Sequence, residues 1–359
     1  MGYGSSSRYE ETYNQTRALY SDDQAERARA EAERASRIEA ARRQAEAEQA
    51  RRQAKPLEAP TMVTERRLAQ MVVEEPPKTA RRAYTLLFDN TYSNRLIAEA
   101  ARAGFERITG RLRGLQRTAT VASVWHSDHG DGDDMIQETN WMTLDDQGER
   151  VFLAGISEVR SGLGDDLPEA SECALHHVAQ YRFGTIPRSH RHLIFVTDQV
   201  AHGMGSPYGD NGCPYGRDWR ASLREVAKTY GTFEVIACGH DSKTFNLQKQ
   251  FIQTPGRLAY DLVDLASADP QELTHEERLR LVIPTVLFLM ARSISKQAVE
   301  RYLMALYEEW LAAKQYGSDT DPRARRQIGQ FTEYLEIGDA ERAQLLEKIF
   351  GKPPSPPPT

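Results

Sequence analysis

Tyr84-Thr85-Leu86-Leu87-Phe88-Asp89-Asn90-Thr91-Tyr92-Ser93-Asn94 is the stretch that decides the fold. Its first half is an apolar, β-forming run without Gly or Pro, set off upstream by Arg81 and Arg82. That pattern predicts a buried strand of a parallel sheet. The run stops at a carboxylate, Asp89, and hydroxyls follow at alternate positions, Thr91 and Ser93. Open α/β sheets collect their ligands at the carboxyl ends of the strands. One carboxylate and two hydroxyls on one loop make a hard, all-oxygen donor set, suited to a small octahedral cation such as magnesium. The same residue types also make ordinary caps and turns, so the tripeptide needs support from elsewhere in the chain.

Outward from this stretch, strand and helix patterns alternate. Asn94 to Gly110 carries Leu96, Ile97, Ala100, Ala101, Phe105 and Ile108 on one face, an amphipathic helix closed by glycine. Thr118 to Trp125 reads as a second strand, Val151 to Val159 as helical, and Pro168-Glu169 as the first turn of a helix running to about Tyr181. His192 to Thr197 is a third core strand ending at Asp198. Arg217 to Tyr230 reads as a helix, Thr232 to Cys238 as a strand and Leu258 to Leu265 as the last strand. This alternation predicts an α/β fold with a doubly wound, mostly parallel sheet over residues 81–268.

In such a sheet, Asp89, Asp198 and the loop acids Asp165 and Asp166 share one edge. Three acidic loops there can hold a cation directly and through water, leaving a position open to a partner's carboxylate. The competing reading is that each Asp merely caps the next helix. The order Asp89-x-Thr91-x-Ser93, then Gly164-Asp-Asp-Leu-Pro-Glu169, then Phe195-Val-Thr-Asp198 resembles a von Willebrand factor A (VWA) domain with its metal-ion-dependent adhesion site. Trp125-His-Ser-Asp128 and Asp198-Gln-Val-Ala-His202-Gly203 bring it nearer to the A domains of the α-kinase-associated, intracellular branch. The resemblance implies a Rossmann-like VWA fold. It also implies metal ligands at Asp89, Thr91, Ser93 and Asp166, with Asp198 acting through water, and Mg2+ or Mn2+ as the cation. Thr91 replaces the commoner serine and keeps the hydroxyl. Leu163 and Asp165 interrupt the glycine run, so either Asp165 or Asp166 is the inward acid, and the usual second-loop Thr is missing. No kinase segment follows. Intracellular bacterial A domains often work with MoxR-type AAA+ ATPases, which makes an adaptor role, with a partner supplying an acidic residue, the implied function.

His126, Asp128, His129, Asp131, Asp133 and Asp134 match neither a zinc pair on a helix nor an EF-hand, and read as a solvated loop. Cys213 lies in a Gly/Pro/Tyr-rich insertion after Asp198 with no neighbouring pair or base identifiable from sequence. That insertion is the expected specificity loop, and Asp165, His202, Tyr208 and Tyr215 are the expected partner-contacting residues. His176 and His177 fall on a helix as structural or surface residues. Bases for a metal-assisted hydrolase or phosphoryl-transfer enzyme would have to come from His202, His126 or Asp128, without a motif behind them.

The flanks and the composition set the context. Residues 1–21 are polar and read as disordered, and 22–55 are almost wholly Ala, Glu, Arg and Gln. Pairs such as Glu33 with Arg37 and Glu48 with Arg52 support a solvated helix; Ile38 is its lone large aliphatic residue, so without a seam of Leu or Ile the sharper alternative is a weak coiled coil or a docking helix for a partner. Residues 56–80 read as a linker, 269–351 as a helical C-terminal subdomain and 352–359 as a polyproline-like tail. A scaffold whose metal site is vestigial would act through these helices alone. The 359 residues carry 27% charged side chains but a net charge of only −6, which gives no field for nucleic acid or an anionic membrane. Three unevenly spaced cysteines fit a reduced compartment. The N-terminus lacks a signal-peptide core and fits a myristoylation site poorly, and Leu281–Ala291 is too short to span a bilayer. A cytoplasmic location is the expectation.

Overall fold

The structure, a computed structural model, describes residues 80–91, 119–139, 141–143, 155–156, 159, 162, 169–205, 212–238, 242–253, 259–264, 275–314 and 320–351. The expected helices at 22–55 and 94–110, Ser93, Asp165, Asp166, Tyr208 and the proline-rich tail lie outside these residues.

β1 (Arg82–Asp89) is buried along nearly its whole length, as a central strand must be. It pairs in parallel with β2 (Ala119–His126) on one side and β5 (Arg191–Thr197) on the other. Further parallel pairs follow, β5 with β6 (Thr232–Ala237) and β6 with β7 (Ala259–Asp264). Two short antiparallel strands that the sequence pattern did not announce, β3 (Ile136–Glu138) and β4 (Met142–Thr143), both pair with β2. The order is β3-β2-β1-β5-β6-β7, with β4 also on β2. The chain therefore winds outward from β1 in one direction and then returns to wind outward from β5 in the other. This is the doubly wound arrangement, and its switch point lies between the carboxyl ends of β1 and β5.

Alternation along β1 assigns each face its layer. Tyr84, Leu86 and Phe88 join a cluster with Trp125, Val196, Ile236 and the C-terminal helices. Ala83 and Leu87 join the opposite cluster, with α1 (Ser171–Ala179) and α2 (Trp219–Thr229). α1 buries eight of its nine residues, which explains its even, scarcely amphipathic sequence. Asp218 caps α2, its side chain accepting from the Ala221 amide at 2.7 Å. α3 (Ser242–Gln253) joins β6 to β7.

α4 (His275–Ile294), α5 (Lys296–Ala312), α6 (Thr320–Glu333) and α7 (Asp339–Phe350) follow the sheet. They share the first cluster with it: Phe288 of α4 stacks on Phe331 of α6, and Tyr84 of β1 bonds Ser293 at 2.8 Å. Pro284 sits inside α4 and ends no helix there; the Tyr302 hydroxyl donates to the Pro284 carbonyl at 2.8 Å. Among the described residues, no helix is long and apolar enough to cross a membrane.

Candidate metal centre

β1 and β5 deliver acids to the switch point because both strands end there in register. Phe88 pairs with Val196, so Asp89 and Thr197 come next to each other. The Thr197 hydroxyl donates to Asp89 Oδ2 at 3.2 Å, while the Thr91 amide and hydroxyl donate to Asp89 Oδ1 at 3.1 and 2.9 Å. Asp89, Thr91 and Asp198 are all buried.

A fourth group completes this corner. The segment before α1 is stitched to the loop after β5: the Glu169 amide donates to the Val200 carbonyl at 3.0 Å, and Glu169 and Ala201 form a parallel bridge. Burial, then the negative charge of Asp89, Asp128 and Asp198, pushes the Glu169 carboxyl well above the usual range, against a hydrogen bond with Thr91. Asp89, Asp128 and Asp198 thus lie close enough for their charge to reach the buried Glu169 carboxyl, and Thr91 bonds it. Glu169 Oε2 is buried there without a hydrogen-bond partner. Four crowded carboxyl groups, one with an orphaned oxygen, are a donor set that a hard divalent cation fits. From sequence Glu169 reads as a helix start and as the last residue of the second-loop motif, not as a ligand.

The loop after β2 corrects another expectation. His126 and Asp128 are buried and His129 is nearly so; they are not solvated. Asp128 caps a short 3-10 segment (His129–Asp134), accepting from the His129 amide at 2.7 Å, and the chain returns antiparallel onto β2, the Ser127 amide donating to the Met135 carbonyl at 2.9 Å. Gly162 is pressed against it: a Cβ there would lie 2.2 Å from Ser127 Cβ and 2.4 Å from Asp131 Oδ2. Burial lowers the pKa of His126, so its ring is neutral beside Asp89.

His202 turns inward, its Nε2 lying 3.3 Å from Asp128 Oδ1 and its amide donating to Glu172 Oε2 at 3.1 Å. Tyr215 is half-buried with its ring 5.5 Å from that of His129. Cys213, read as having no neighbours, has two: the Cys173 thiol at 3.6 Å and His129 Nε2 at 3.5 Å. Hydrogen bonding from Cys173, then from His129, outweighs burial and holds the Cys213 thiol down at about 3. Burial opposes charge on His129, but Asp128, Cys213 and Glu172 raise its pKa to about 11. The Cys173 thiol is pushed well above its ordinary value, first by Cys213 and then by burial.

No protein-family model and no curated protein matches this chain. Several solved structures are similar to it. The pilus adhesin SpaC from Lactobacillus rhamnosus GG superposes at 11% identity and a TM-score of 0.43, over 64% of this chain and 32% of that one. A von Willebrand factor type A protein from Catenulispora acidiphila does so at 16% and 0.38, over 57% and 42%. The SpRpn10 VWA domain does so at 15% and 0.34, over 51% and 87%. The chain thus spans about a third of the adhesin's length. Superpositions this partial carry no weight for function, which must be argued from this chain's own topology and side chains.

Proposed function

We propose that the chain is a VWA-like, metal-dependent protein-interaction module. The observation that carries this is the crowding of Glu169 against Asp89, Asp128 and Asp198 at the switch point of the sheet, with one of its oxygens buried and unpaired. Asp89, Thr91, Asp198 and Glu169, together with Ser93 and Asp166 by the resemblance, would hold Mg2+ or Mn2+. When bound, the cation would offer a coordination position to a carboxylate of a partner. The chain's own residues prepare that position. Thr91 and Thr197 fix the Asp89 carboxylate by hydrogen bonds, and the strand ends exclude most water. A direct carboxylate contact of this kind is charge-assisted and directional, as a reversible latch requires. A MoxR-type ATPase is the proposed partner class, and Asp165, Tyr208 and Tyr215 the proposed contacts around the rim.

The test is capture of a purified MoxR-type ATPase from the same genome by the full chain, with Mg2+ and with EDTA, using wild type and Asp89→Ala. Binding only by wild type with Mg2+ is expected. Binding indifferent to both EDTA and the substitution removes the idea. The buried pair of His202 and Asp128 favours a second reading, a metal-assisted hydrolase with His202 as base. Magnesium-dependent turnover of phosphoesters that His202→Ala abolishes would select it over the first.

A further inference from the structure

We propose that His129, Glu172, Cys173 and Cys213 form a second metal site, of zinc type, that clips the insertion after β5 to the sheet edge. The four ligand atoms come from three separate parts of the chain: the loop after β2, the first turn of α1, and the insertion before α2. They nevertheless converge within 4.8 Å of one another. His129 Nε2 is the centre of the group, 3.0 Å from Glu172 Oε1, 3.4 Å from Cys173 Sγ and 3.5 Å from Cys213 Sγ. The two sulfurs are 3.6 Å apart, and Cys173 Sγ is 3.7 Å from Glu172 Oε1.

These are five of the six edges of a tetrahedron; the sixth, from Cys213 Sγ to Glu172, is no longer than 4.8 Å. Ordinary zinc bonds to sulfur, nitrogen and carboxylate oxygen imply ligand-to-ligand edges of about 3.3–3.8 Å. These five edges run from 3.0 to 3.7 Å, and the shortest is also an ion pair. Two thiols, an imidazole and a fully buried carboxylate at this spacing supply the donor types of a zinc site.

The surroundings also suit a ligated histidine. Asp128 Oδ1 lies 3.4 Å from His129 Nδ1, on the side away from the proposed ion, without hydrogen-bond geometry to it; a small ring rotation would let it orient a zinc-bound imidazole. Glu172 is fixed from behind by the His202 amide on its Oε2. The donor set is too soft for magnesium and suits zinc. Its role would be structural, because four protein ligands close the shell. It would anchor Cys213, and so the entry to α2, beside the oxygen-lined corner.

The test uses the full chain. Metal content is measured by mass spectrometry after purification with supplementary zinc, and the zinc is then exchanged for Co2+. One zinc per chain, with the intense tetrahedral visible bands and thiolate charge-transfer absorption of bound cobalt, is expected. Cys213→Ser, which sits in a loop, should lose the charge-transfer intensity and most of the zinc while keeping the wild-type circular dichroism. Asp128→Asn should weaken zinc binding on the order of 10- to 100-fold. Asp89→Ala should leave the zinc content unchanged, which separates this site from the oxygen-lined one. Sub-stoichiometric zinc with no cobalt spectrum in wild type would overturn the proposal, as would a Cys173–Cys213 disulfide in protein purified under reducing conditions.

Discussion

Two corners of one sheet edge differ in how their atoms are brought together. In the oxygen-lined corner, Asp89 ends β1 and Asp198 follows the end of β5, and main-chain register sets Asp89 beside Thr197, one residue before Asp198. Any chain that pairs β1 with β5 in this register delivers both acids. In the sulfur-and-nitrogen corner, His129, Glu172, Cys173 and Cys213 sit on a loop, a helix and an insertion, and only side-chain packing makes them meet. Asp128 is the wall between them, felt by Glu169 on one side and bonded to His202 and His129 on the other. A corner built by register should tolerate loss of a ligand; a corner built by packing should not.

The largest expected effect tests that difference directly. Glu172→Ala removes a fully buried carboxylate and leaves the His129 imidazole and the His202 amide without their acceptor. Breaking a buried pair in this way costs roughly 3–5 kcal/mol, read as a shift in the urea midpoint. A change of under about 1 kcal/mol would show the packed corner to be as tolerant as the other. Asp89→Asn is the counterpart. It keeps an acceptor for Thr91 and relieves the charge pressing on Glu169, so metal-free stability should hold. What it should lose is the gain from cation, about 2.7 kcal/mol at a hundred times the dissociation constant. Thermal melts with and without Mg2+ check both halves.

The same difference explains what could be read from the sequence. β1, β2, β5, β6 and β7 each carry an apolar run that ends at a polar residue or a turn, so the sheet and the placement of Asp89 and Asp198 at its edge were legible. The short strands β3 and β4 were not, because two or three half-buried residues hold too little periodicity. Cys173 and Cys213 are forty residues apart, and Cys173 lies in a helix whose burial is nearly complete. No local pattern marks such a residue as anything but core. The loop from His126 to Asp134 was misread for the reverse reason: its acids look solvated, but Asp128 is spent on a cap and turned inward. Glu169 stood in view as a helix start and as the end of the second-loop motif; its place near Asp89 and Asp198 depends on the bridge to Ala201, a contact no spacing announces.

Gly162 offers a way to disturb both corners at once. A methyl group there must displace Ser127 and Asp131, which belong to the loop that also carries Asp128 and His129. Overpacking of this kind typically costs 1–3 kcal/mol. If Gly162→Ala lowers stability by that amount and reduces both zinc content and magnesium response, the loop is common to the two sites. If one response survives unchanged, the corners are mechanically separate.

The smallest effect is a pH slope, and it needs a reference outside both corners. His192 supplies one from the amino end of β5. Its ring stacks on Tyr84 at 5.0 Å, its Nδ1 donates to Thr232 Oγ1 at 2.8 Å, and its Nε2 accepts from Arg82 at 3.2 Å. Accepting from a guanidinium requires a neutral imidazole. Burial first, then Arg82 and His190, lowers its pKa to about 3. In the unfolded chain the same group titrates near 6.5. Between those values the unfolded state takes up a proton that the native state refuses. Stability should therefore fall as pH drops below about 6.5, by up to ~1.4 kcal/mol per pH unit. Urea unfolding of wild type and His192→Gln across this range isolates that share, and identical slopes would remove His192 as its source. Glu169 works in the opposite sense. Its raised pKa means the native state keeps a proton that the unfolded chain releases above about 4.3, so its share of stability declines as pH rises. A cation in the oxygen-lined corner should cancel that decline and leave the His192 slope untouched.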